Sequence, residues 1–251
     1  MDRMIHLSLN TLDIALRKQA VSAQNLANTN VTGYRRDLYE SFGSLYLNTN
    51  EQLDTRAFAI TEGSGIFDDA QGRMRPTDMQ TDLAIDGNGF FIAKKPGLPV
   101  SMTRRGDMSV SAEGQLVNGA GAQILNQNQQ PIIVPPFRKL IVAEDGNLMI
   151  EPLNGEPGVI EAIGRIGLAS AADTELKKDD DGEIRPLNGE IIADQNAKVK
   201  QGFIEESNVN AIDELVASMG YQRSYELNLK LIKIASDLDQ NTSSLLRMPN
   251  G

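Results

Sequence analysis

The stretch SNVNAIDELVASMGYQRSYELNLKLIKIASDLDQNTSSLL, residues 207–246, decides the fold of this chain. Asn210 is suited to cap a helix, and Asp213 and Glu214 follow in what would be the first turn. Carboxylates at that place complement the positive end of the helix dipole. No proline interrupts the stretch before Pro249. We therefore predict a single long helix, about 55 Å from end to end at 1.5 Å per residue.

Apolar side chains recur along this stretch at alternating steps of four and three residues. The stripe comprises Leu227, Leu231, Ile234, Leu238 and Leu245, and the first turns add Ile212, Leu215 and Met219. A helix with such a stripe needs another surface to cover it. The N-terminal segment repeats the same spacing and should end as a helix near Asn28. Its stripe comprises Ile5, Leu9, Leu12, Leu16, Ala23 and Leu26.

Two arrangements would cover these stripes. In the first, the two terminal helices pair as a coiled-coil stalk, and further copies of the chain cover the apolar surface that remains. In the second, the helices form a two-helix hairpin that packs on its own domain. The length of the stripes favours the first arrangement, because they extend farther than one small domain could cover.

The middle of the chain has the punctuation of short strands. Turn sequences such as Asp86-Gly87-Asn88-Gly89 and Asn118-Gly119 separate apolar pieces that recur roughly every 8–12 residues, the spacing of antiparallel sheets. The predicted fold class is α+β, with long N- and C-terminal helices pairing as a coiled-coil stalk around a central antiparallel β domain. The predicted boundaries are an N-terminal helix over 1–33, an extended connector with a hairpin over 34–80, the β domain over 81–196, a return connector over 197–209 and the C-terminal helix over 210–251.

Composition excludes several classes of function. The 251 residues carry a net charge of −10 without a Lys/Arg cluster, which argues against binding to nucleic acid or anionic membranes. The chain has no cysteine, which excludes disulfides and thiolate chemistry. No run reaches the ~18 apolar residues of a membrane span, and no basic segment followed by an apolar run opens the chain. We therefore expect no membrane insertion and no Sec-type signal peptide.

Motifs for catalysis or metal binding are weak. His6 is the only histidine and is expected on the surface of the first helix, which argues against the usual Ser-His-acid triad and excludes a multi-histidine metal site. The run Asp179-Asp180-Asp181-Gly182 suggests a calcium loop, but Asn188 stands where the bidentate glutamate belongs. Gly87 and Gly89 form a lone G-x-G without a third glycine. We expect no enzyme, no cofactor and no metal.

Two glycines have specific structural expectations. Gly33 follows the first helix, where a residue with positive φ would let the chain turn away, and glycine reaches that conformation without steric cost. Gly220 lies in the middle of the predicted C-terminal helix, where glycine costs up to ~1 kcal/mol relative to alanine. For Gly220 we hypothesise the close approach of another helix rather than a kink.

Several segments together resemble the bacterial flagellar rod and hook proteins. The run NLANTNVTGYRR, residues 25–36, is similar to the N-terminal signature of that family, with Tyr34 in place of the usual phenylalanine. The run VKQGFIEESNVN, residues 199–210, resembles the family's C-terminal lead-in, and QRSYE, residues 222–226, resembles a segment that follows it. The motif residues carried over are Asn25, Leu26, Ala27, Asn28, Gly33, Ser207, Asn208, Val209, Gln222, Arg223, Tyr225 and Glu226.

The resemblance implies an axial structural subunit of the flagellar basal body. Such a subunit would be exported by the flagellar apparatus without a Sec signal and would polymerise helically with other rod proteins in the periplasm. The resemblance is to rod subunits first, with a hook-type axial protein as an alternative; a free-standing coiled-coil binding module is the alternative from another class. The expected assembly interface is the apolar stripes, Ile5, Leu9, Leu12, Leu16, Ala23, Leu26, Ile212, Leu215, Met219, Leu227, Leu231, Ile234, Leu238 and Leu245.

Overall fold

The computed structural model describes residues 2–39, 41–46, 57–62, 65–170, 175–187, 189–194 and 197–246. The chain forms two compact units. Unit 1 contains Met1–Ala27, Asp37–Ser64 and Asn210–Gly251, and unit 2 contains Asn28–Arg36 and Gly65–Val209. The chain therefore passes from one unit to the other after residues 27, 36, 64 and 209.

Unit 1 consists of two helices and a hairpin. Helix α1 spans Asp2–Ala27 and helix α2 spans Ala211–Leu246. Strands β1 (Ser41–Tyr46) and β2 (Ala57–Glu62) pair antiparallel. Asn210 caps α2 as expected, because its Oδ1 accepts a hydrogen bond of 3.0 Å from the amide of Ile212. The prediction of one long helix at each end of the chain is confirmed.

The most deeply buried residues of the two helices are small or polar. On α1 the buried positions include Ser8, Ala15 and Ser22, which lie seven residues apart. On α2 they are Glu214, Asn228 and Ala235, which are separated by multiples of seven. The Ser22 hydroxyl lies 2.7 Å from Oε2 of Glu214, so the last turns of α1 meet the first turn of α2. We call this contact the small-residue seam.

The predicted coiled-coil stalk is therefore wrong. Most described members of its apolar stripes stay exposed, and the large ones range from 37% at Leu26 to 73% at Ile212. Leu12 is half-buried, and the side chains of Ile5 and Leu245 lie outside the described residues. The reason is that a seven-residue repeat of small side chains runs along the same helices as the leucines, and only one repeat can face the partner helix. The exposed members are Leu9, Leu16, Ala23, Leu26, Ile212, Leu215, Met219, Leu227, Leu231, Ile234 and Leu238.

Unit 2 is an antiparallel β domain, as the sequence predicted. Its described strands are β3 (Met74–Pro76), β4 (Leu83–Asp86), β5 (Gly89–Lys94), β6 (Val100–Thr103), β7 (Met108–Val110), β8 (Leu116–Asn118), β9 (Gln123–Ile124), β10 (Phe137–Val142), β11 (Asn147–Pro152), β12 (Glu161–Arg165), β13 (Leu168–Ser170), β14 (Leu176–Lys178), β15 (Ile184–Pro186), β16 (Lys198–Gln201) and β17 (Phe203–Glu205).

The strands of unit 2 form two larger sheets and two short ladders. The larger sheet has the order β14-β15-β6-β5-β9-β8-β7, with β13 also paired to β5, and the smaller sheet has the order β10-β11-β12. Strands β16 and β17, which come just before α2, pair with β4 and β3 respectively. The last strands of the unit are thus held by its first strands.

Strand β5 divides the core of unit 2. Phe91 belongs to a large apolar cluster that includes Leu148 and Ile166. Phe90 belongs to a second cluster with Met102. Consecutive side chains of a strand point to opposite faces, so β5 is covered on both sides. No helix among the described residues is long and apolar enough to cross a membrane.

The small-residue seam can be tested by replacing one residue on it and the next residue off it. Ala15 is 4% exposed and Leu16 is 44% exposed. We expect Ala15→Leu to destabilise unit 1 by about 1–3 kcal/mol, because it overpacks a filled contact. Leu16→Ala should change stability by no more than about 0.5 kcal/mol. Thermal unfolding followed by helical circular dichroism at 222 nm measures both. A larger loss for Leu16→Ala would show that the leucines form the seam.

Candidate functional site

Unit 2 contains a buried carboxylate between two guanidinium groups. Glu205, at the end of β17, pairs with Arg35 at 2.8 Å and with Arg104 at 3.2 Å, and all three side chains are about 1% exposed. The amide of Gly72 donates a third hydrogen bond of 2.8 Å to Oε1 of Glu205. The carboxylate thus joins segments of the chain that lie far apart in sequence. We call Arg35, Arg104 and Glu205 the ion triad.

Each arginine of the ion triad is anchored by the backbone as well. Arg35 donates to the carbonyl of Ala70, and Arg104 donates to the carbonyls of Ile85 and Gly87. The guanidinium of Arg104 also lies 4.9 Å from the ring centre of Phe90. Burial lowers the pKa of Arg104 to about 10, and the charge of Glu205 opposes that shift. Burial therefore disfavours the charged form of Arg104, and the carboxylate of Glu205 partly offsets that effect.

Asn208 ties the same region together through backbone atoms. Its Oδ1 accepts a hydrogen bond of 2.7 Å from the amide of Arg36, and its Nδ2 donates to the carbonyls of Asp68 at 3.0 Å and Ala70 at 2.9 Å. Nearby, the amide of Asp68 donates to the carbonyl of Arg36 at 2.8 Å. The side chain of Asn208 therefore joins its own segment, which leads to α2, to the segment that ends at Arg36 and to the segment that begins at Gly65.

Gly33 has the positive φ that the sequence led us to expect, +66°. Its amide donates to the carbonyl of Glu205 at 2.7 Å. A Cβ atom at this position would lie 2.3 Å from the backbone carbonyl carbon of Arg104, far inside van der Waals contact. Glycine is required here by close backbone approach in addition to φ.

Unit 1 contains a second polar cluster, at the ends of its helices. Asn25 exchanges two hydrogen bonds with the backbone of Asp37, of 2.9 and 2.8 Å, and donates to Glu214 at 3.2 Å. Glu214 also receives the Ser22 hydroxyl at 2.7 Å and the Tyr39 hydroxyl at 3.4 Å. Burial raises the pKa of Tyr39, and hydrogen bonding to Tyr221 and the charge of Glu214 add to that shift. The buried Glu214 thus connects α1, α2 and the segment that enters the hairpin.

The structure divides the motif residues into two groups. Asn25, Gly33 and Asn208 belong to the contacts just described, and the Ser207 hydroxyl accepts a hydrogen bond of 3.3 Å from the amide of Val209. The Asn28 carbonyl accepts a hydrogen bond from Val31. The others lie nearer the surface: Leu26, Ala27, Gln222, Arg223 and Glu226 are exposed, and Tyr225 is half-buried.

The sequence did not single out the buried charges. Arg35 and Glu205 lie inside the motif segments, and Arg104 follows β6, but each was indistinguishable from a surface charge. Glu214 was expected only to complement the helix dipole. No signal in the sequence distinguished Arg35 from its neighbour Arg36, or Glu205 from its neighbour Glu206.

Gly220 differs from Gly33. It is an exposed residue of α2, and a Cβ atom built on it would meet no atom within 4 Å. The close approach of another helix that we hypothesised for Gly220 does not occur among the described residues of this chain. Glycine there costs about 1 kcal/mol relative to alanine.

The acidic run in unit 2 is neutralised by its own hairpin. Arg185 pairs with Asp179 at 2.8 Å and with Asp181 at 2.7 Å. Hydrogen bonds from Lys177 and Arg185 lower the pKa of Asp179, and a hydrogen bond from Arg185 lowers that of Asp181. Among the residues that the structure describes, no group of three or more acidic, histidine or cysteine side chains is placed to hold a metal ion.

Comparison with known proteins gives matches over most of the chain. A family described as "Flagellar basal body rod FlgEFG protein C-terminal" matches residues 200–245, and one described as "Flagellar hook protein FlgE/F/G D1 domain" matches residues 84–150. The flagellar basal-body rod protein FlgF of Escherichia coli is 29% identical, over 99% of this chain and 100% of the relative. FlgF of Caulobacter vibrioides is 29% identical over 96% of each chain. The rod protein FlgG of Borreliella burgdorferi is 28% identical over 86% of this chain and 88% of the relative.

The ion triad can be tested against a neighbouring exposed ion pair. We expect Glu205→Ala to destabilise unit 2 by about 3–5 kcal/mol, because it leaves two buried guanidinium groups without their carboxylate. Glu206→Ala removes a pair with Arg75 at 3.0 Å in which the side chains are 40% and 54% exposed, and should cost at most about 1 kcal/mol. Hydrogen exchange of peptides from β4 and β5 measures both losses. Equal protection in the two variants would contradict the triad's role.

A pair of glycine variants separates backbone overlap from backbone strain. Gly33 and Gly121 both have positive φ, +66° and +77°, but a Cβ at Gly121 would meet no atom within 4 Å. Gly121→Ala should cost about 1–2 kcal/mol from strain alone. Gly33→Ala should cost more, because strain and overlap add. Urea unfolding of the two variants gives the difference, and equal losses would remove the close approach to Arg104 as an explanation.

Proposed function

This chain belongs to the family of flagellar basal-body rod proteins, and from that membership we propose that it joins the rod through the exposed apolar faces of α1 and α2. The relatives are structural proteins of the basal body, and this chain is likewise a structural rod subunit rather than an enzyme. The assembly of rod proteins with one another is common to the family. The manner of contact is our proposal.

The observation that carries the proposal is the exposure of large apolar side chains on both helices. Leu227 and Ile234, seven residues apart on α2, are 60% and 52% exposed, and Leu9 and Leu16 on α1 are 47% and 44% exposed. Folded proteins rarely leave a contiguous patch of this kind in water unless another surface covers it. Full burial of one such side chain contributes about 1.5–3 kcal/mol. The helices therefore retain a strong driving force for association after the chain has folded.

The helices can keep this face free because they contact each other by other residues. The fully buried positions of α1, which include Ser8, Ala15 and Ser22, are not members of the apolar stripes, and most of the described stripe members are exposed. A subunit can thus have its helices in place before it meets a neighbour. We propose that the apolar stripes, Ile5 to Leu26 on α1 and Ile212 to Leu245 on α2, are the surface that neighbouring rod subunits cover.

Family membership also supports proposals about the form of the polymer, the export route and the position of the subunit in the rod. We propose that the subunits form a helical polymer in which the terminal helices surround the export channel and transmit torque. We also propose that the chain is exported by the flagellar apparatus and occupies the periplasmic part of the rod. The complete alignment with FlgF of Escherichia coli supports the proximal, FlgF-type subunit, and the distal, FlgG-type subunit is the alternative.

The proposal predicts that a charge on the apolar face blocks assembly without unfolding the subunit. We expect Leu231→Asp to prevent incorporation into basal bodies, because a carboxylate buried without a partner costs several kcal/mol at an interface. Leu231 is 41% exposed, so the stability of the isolated subunit should change by no more than about 0.5 kcal/mol. The measurements are swimming motility of a strain that carries only the variant, subunit content of purified basal bodies, and thermal unfolding.

Gln240→Asp is the matched control, since it adds the same charge at an exposed polar position of the same helix. It should assemble and swim like the parent. Normal motility of the Leu231→Asp strain would rule out the apolar face as the assembly surface. Loss of assembly in both variants would show that charge alone is responsible.

A further inference from the structure

Three Asn-Gly pairs lie among the described residues, and their asparagines are held to different degrees. The pairs are Asn88-Gly89, Asn118-Gly119 and Asn154-Gly155. An asparagine followed by glycine can lose its side-chain amide without an enzyme, because the glycine has no side chain to hinder attack by its backbone nitrogen on the neighbouring carbonyl. By sequence alone the three pairs are equally reactive. The structure separates them.

Asn154 is exposed in the turn that follows β11. No hydrogen bond to the described part of the chain holds its side chain. The amide of Gly155, which would be the attacking group, donates to the carbonyl of Pro152 at 3.3 Å, beyond the usual range for such bonds. The turn itself is anchored, since the amide of Leu153 donates to the carbonyl of Pro136 at 2.9 Å. Both reacting groups are therefore free of strong contacts while the backbone beside them stays folded.

The other two pairs are held by the fold. Asn118 is buried, and its Oδ1 accepts hydrogen bonds of 3.0 Å from the amides of Ala120 and Ala122. Attack on this side chain requires both bonds to break and the side chain to leave its buried position. Asn88 is exposed, but Gly89 is buried in β5 and paired with β13. Ring closure needs the peptide unit between the two residues to rotate, and a paired strand resists that rotation.

We propose that Asn154 is the site at which the folded subunit deamidates spontaneously. Solvent base removes the amide proton of Gly155, and that nitrogen forms a bond to Cγ of Asn154. The side-chain nitrogen leaves as ammonia with the proton that the base returns. Water then opens the resulting succinimide ring. Cleavage between the ring nitrogen and Cγ gives aspartate, and cleavage between the ring nitrogen and the backbone carbonyl carbon gives isoaspartate. No group is oxidised or reduced, and water is the only reagent consumed.

Deamidation would change the surface of unit 2 at this turn. Either product adds a negative charge to a loop that exposes Leu153, Val159 and Ile160. Isoaspartate also lengthens the backbone by a methylene group, because the chain then runs through the former side chain. That product should disturb the turn closed by Pro152 and Gly155. The inference concerns the isolated subunit and does not depend on the proposed mode of assembly.

The test compares sites within one full-length protein. Purified subunit is kept in mildly alkaline buffer, either folded or unfolded in urea, and tandem mass spectrometry of its peptides measures conversion of each asparagine separately. Site resolution is needed because Asn188 and Asn250, outside the described residues, also precede glycine. Isoaspartyl methyltransferase with a labelled methyl donor reports isoaspartate. Gly155→Ala is the matched variant, since a Cβ there would lie 3.4 Å from its nearest neighbour, Cβ of Pro152, and the fold should accept it.

In the folded protein we expect Asn154 to react faster than Asn88, and roughly tenfold or more faster than Asn118, which must first break two hydrogen bonds. In urea the three sites should react at similar rates, and Gly155→Ala should slow only Asn154. A rate at Asn88 or Asn118 equal to that at Asn154 in the folded protein would overturn the inference. So would slow reaction of Asn118 in urea, because its protection would then come from the local sequence. An unchanged rate in Gly155→Ala would exclude attack by the Gly155 nitrogen.

Discussion

The pairing of Glu205 with Arg35 and Arg104 is the interaction on which unit 2 depends. Three charged side chains about 1% exposed cost a great deal to remove from water, and only their mutual attraction and the surrounding backbone hydrogen bonds offset that cost. Removing one of the three charges would therefore leave the others buried without a full set of partners. Glu205 ends the last strand of the unit, and Arg35 lies in the segment that connects α1 to the hairpin, so the pairing closes the β domain where the chain leaves it.

The polar contacts around the ion triad extend that closure to the backbone. Asn208 binds the amide of Arg36 and the carbonyls of Asp68 and Ala70, and the amide of Gly33 binds the carbonyl of Glu205. A side chain larger than hydrogen at Gly33 would overlap the backbone of Arg104. These contacts use directional groups with little freedom to adjust. They fix the backbone of residues 33–36, 68–70 and 205–208 relative to one another within unit 2.

In unit 1 the polar and apolar residues have separate roles. Ser22, Asn25 and Glu214 join the helices within the chain by hydrogen bonds, while the leucines remain in contact with water. Contacts between small side chains bury little apolar area, so most of the hydrophobic free energy of the helices is still available after folding. This division leaves the large apolar side chains of the helices on the outside of the folded chain.

The sequence by itself determined the helices, the β domain and the family. Asn210, the acidic first turn and the absence of proline specified α2, and short-range turn chemistry specified the strands, because these signals act between residues close in sequence. The tertiary structure alone decided which face of each helix meets the other. A four-three repeat of leucines shows that a helix has an apolar face, but not whether its own chain or another covers that face. A second repeat, of small residues, runs along the same helices, and the sequence does not show which of the two repeats is buried. Likewise only the fold brought Arg35, Arg104 and Glu205 together, because a buried charge and a surface charge look the same until distant segments meet.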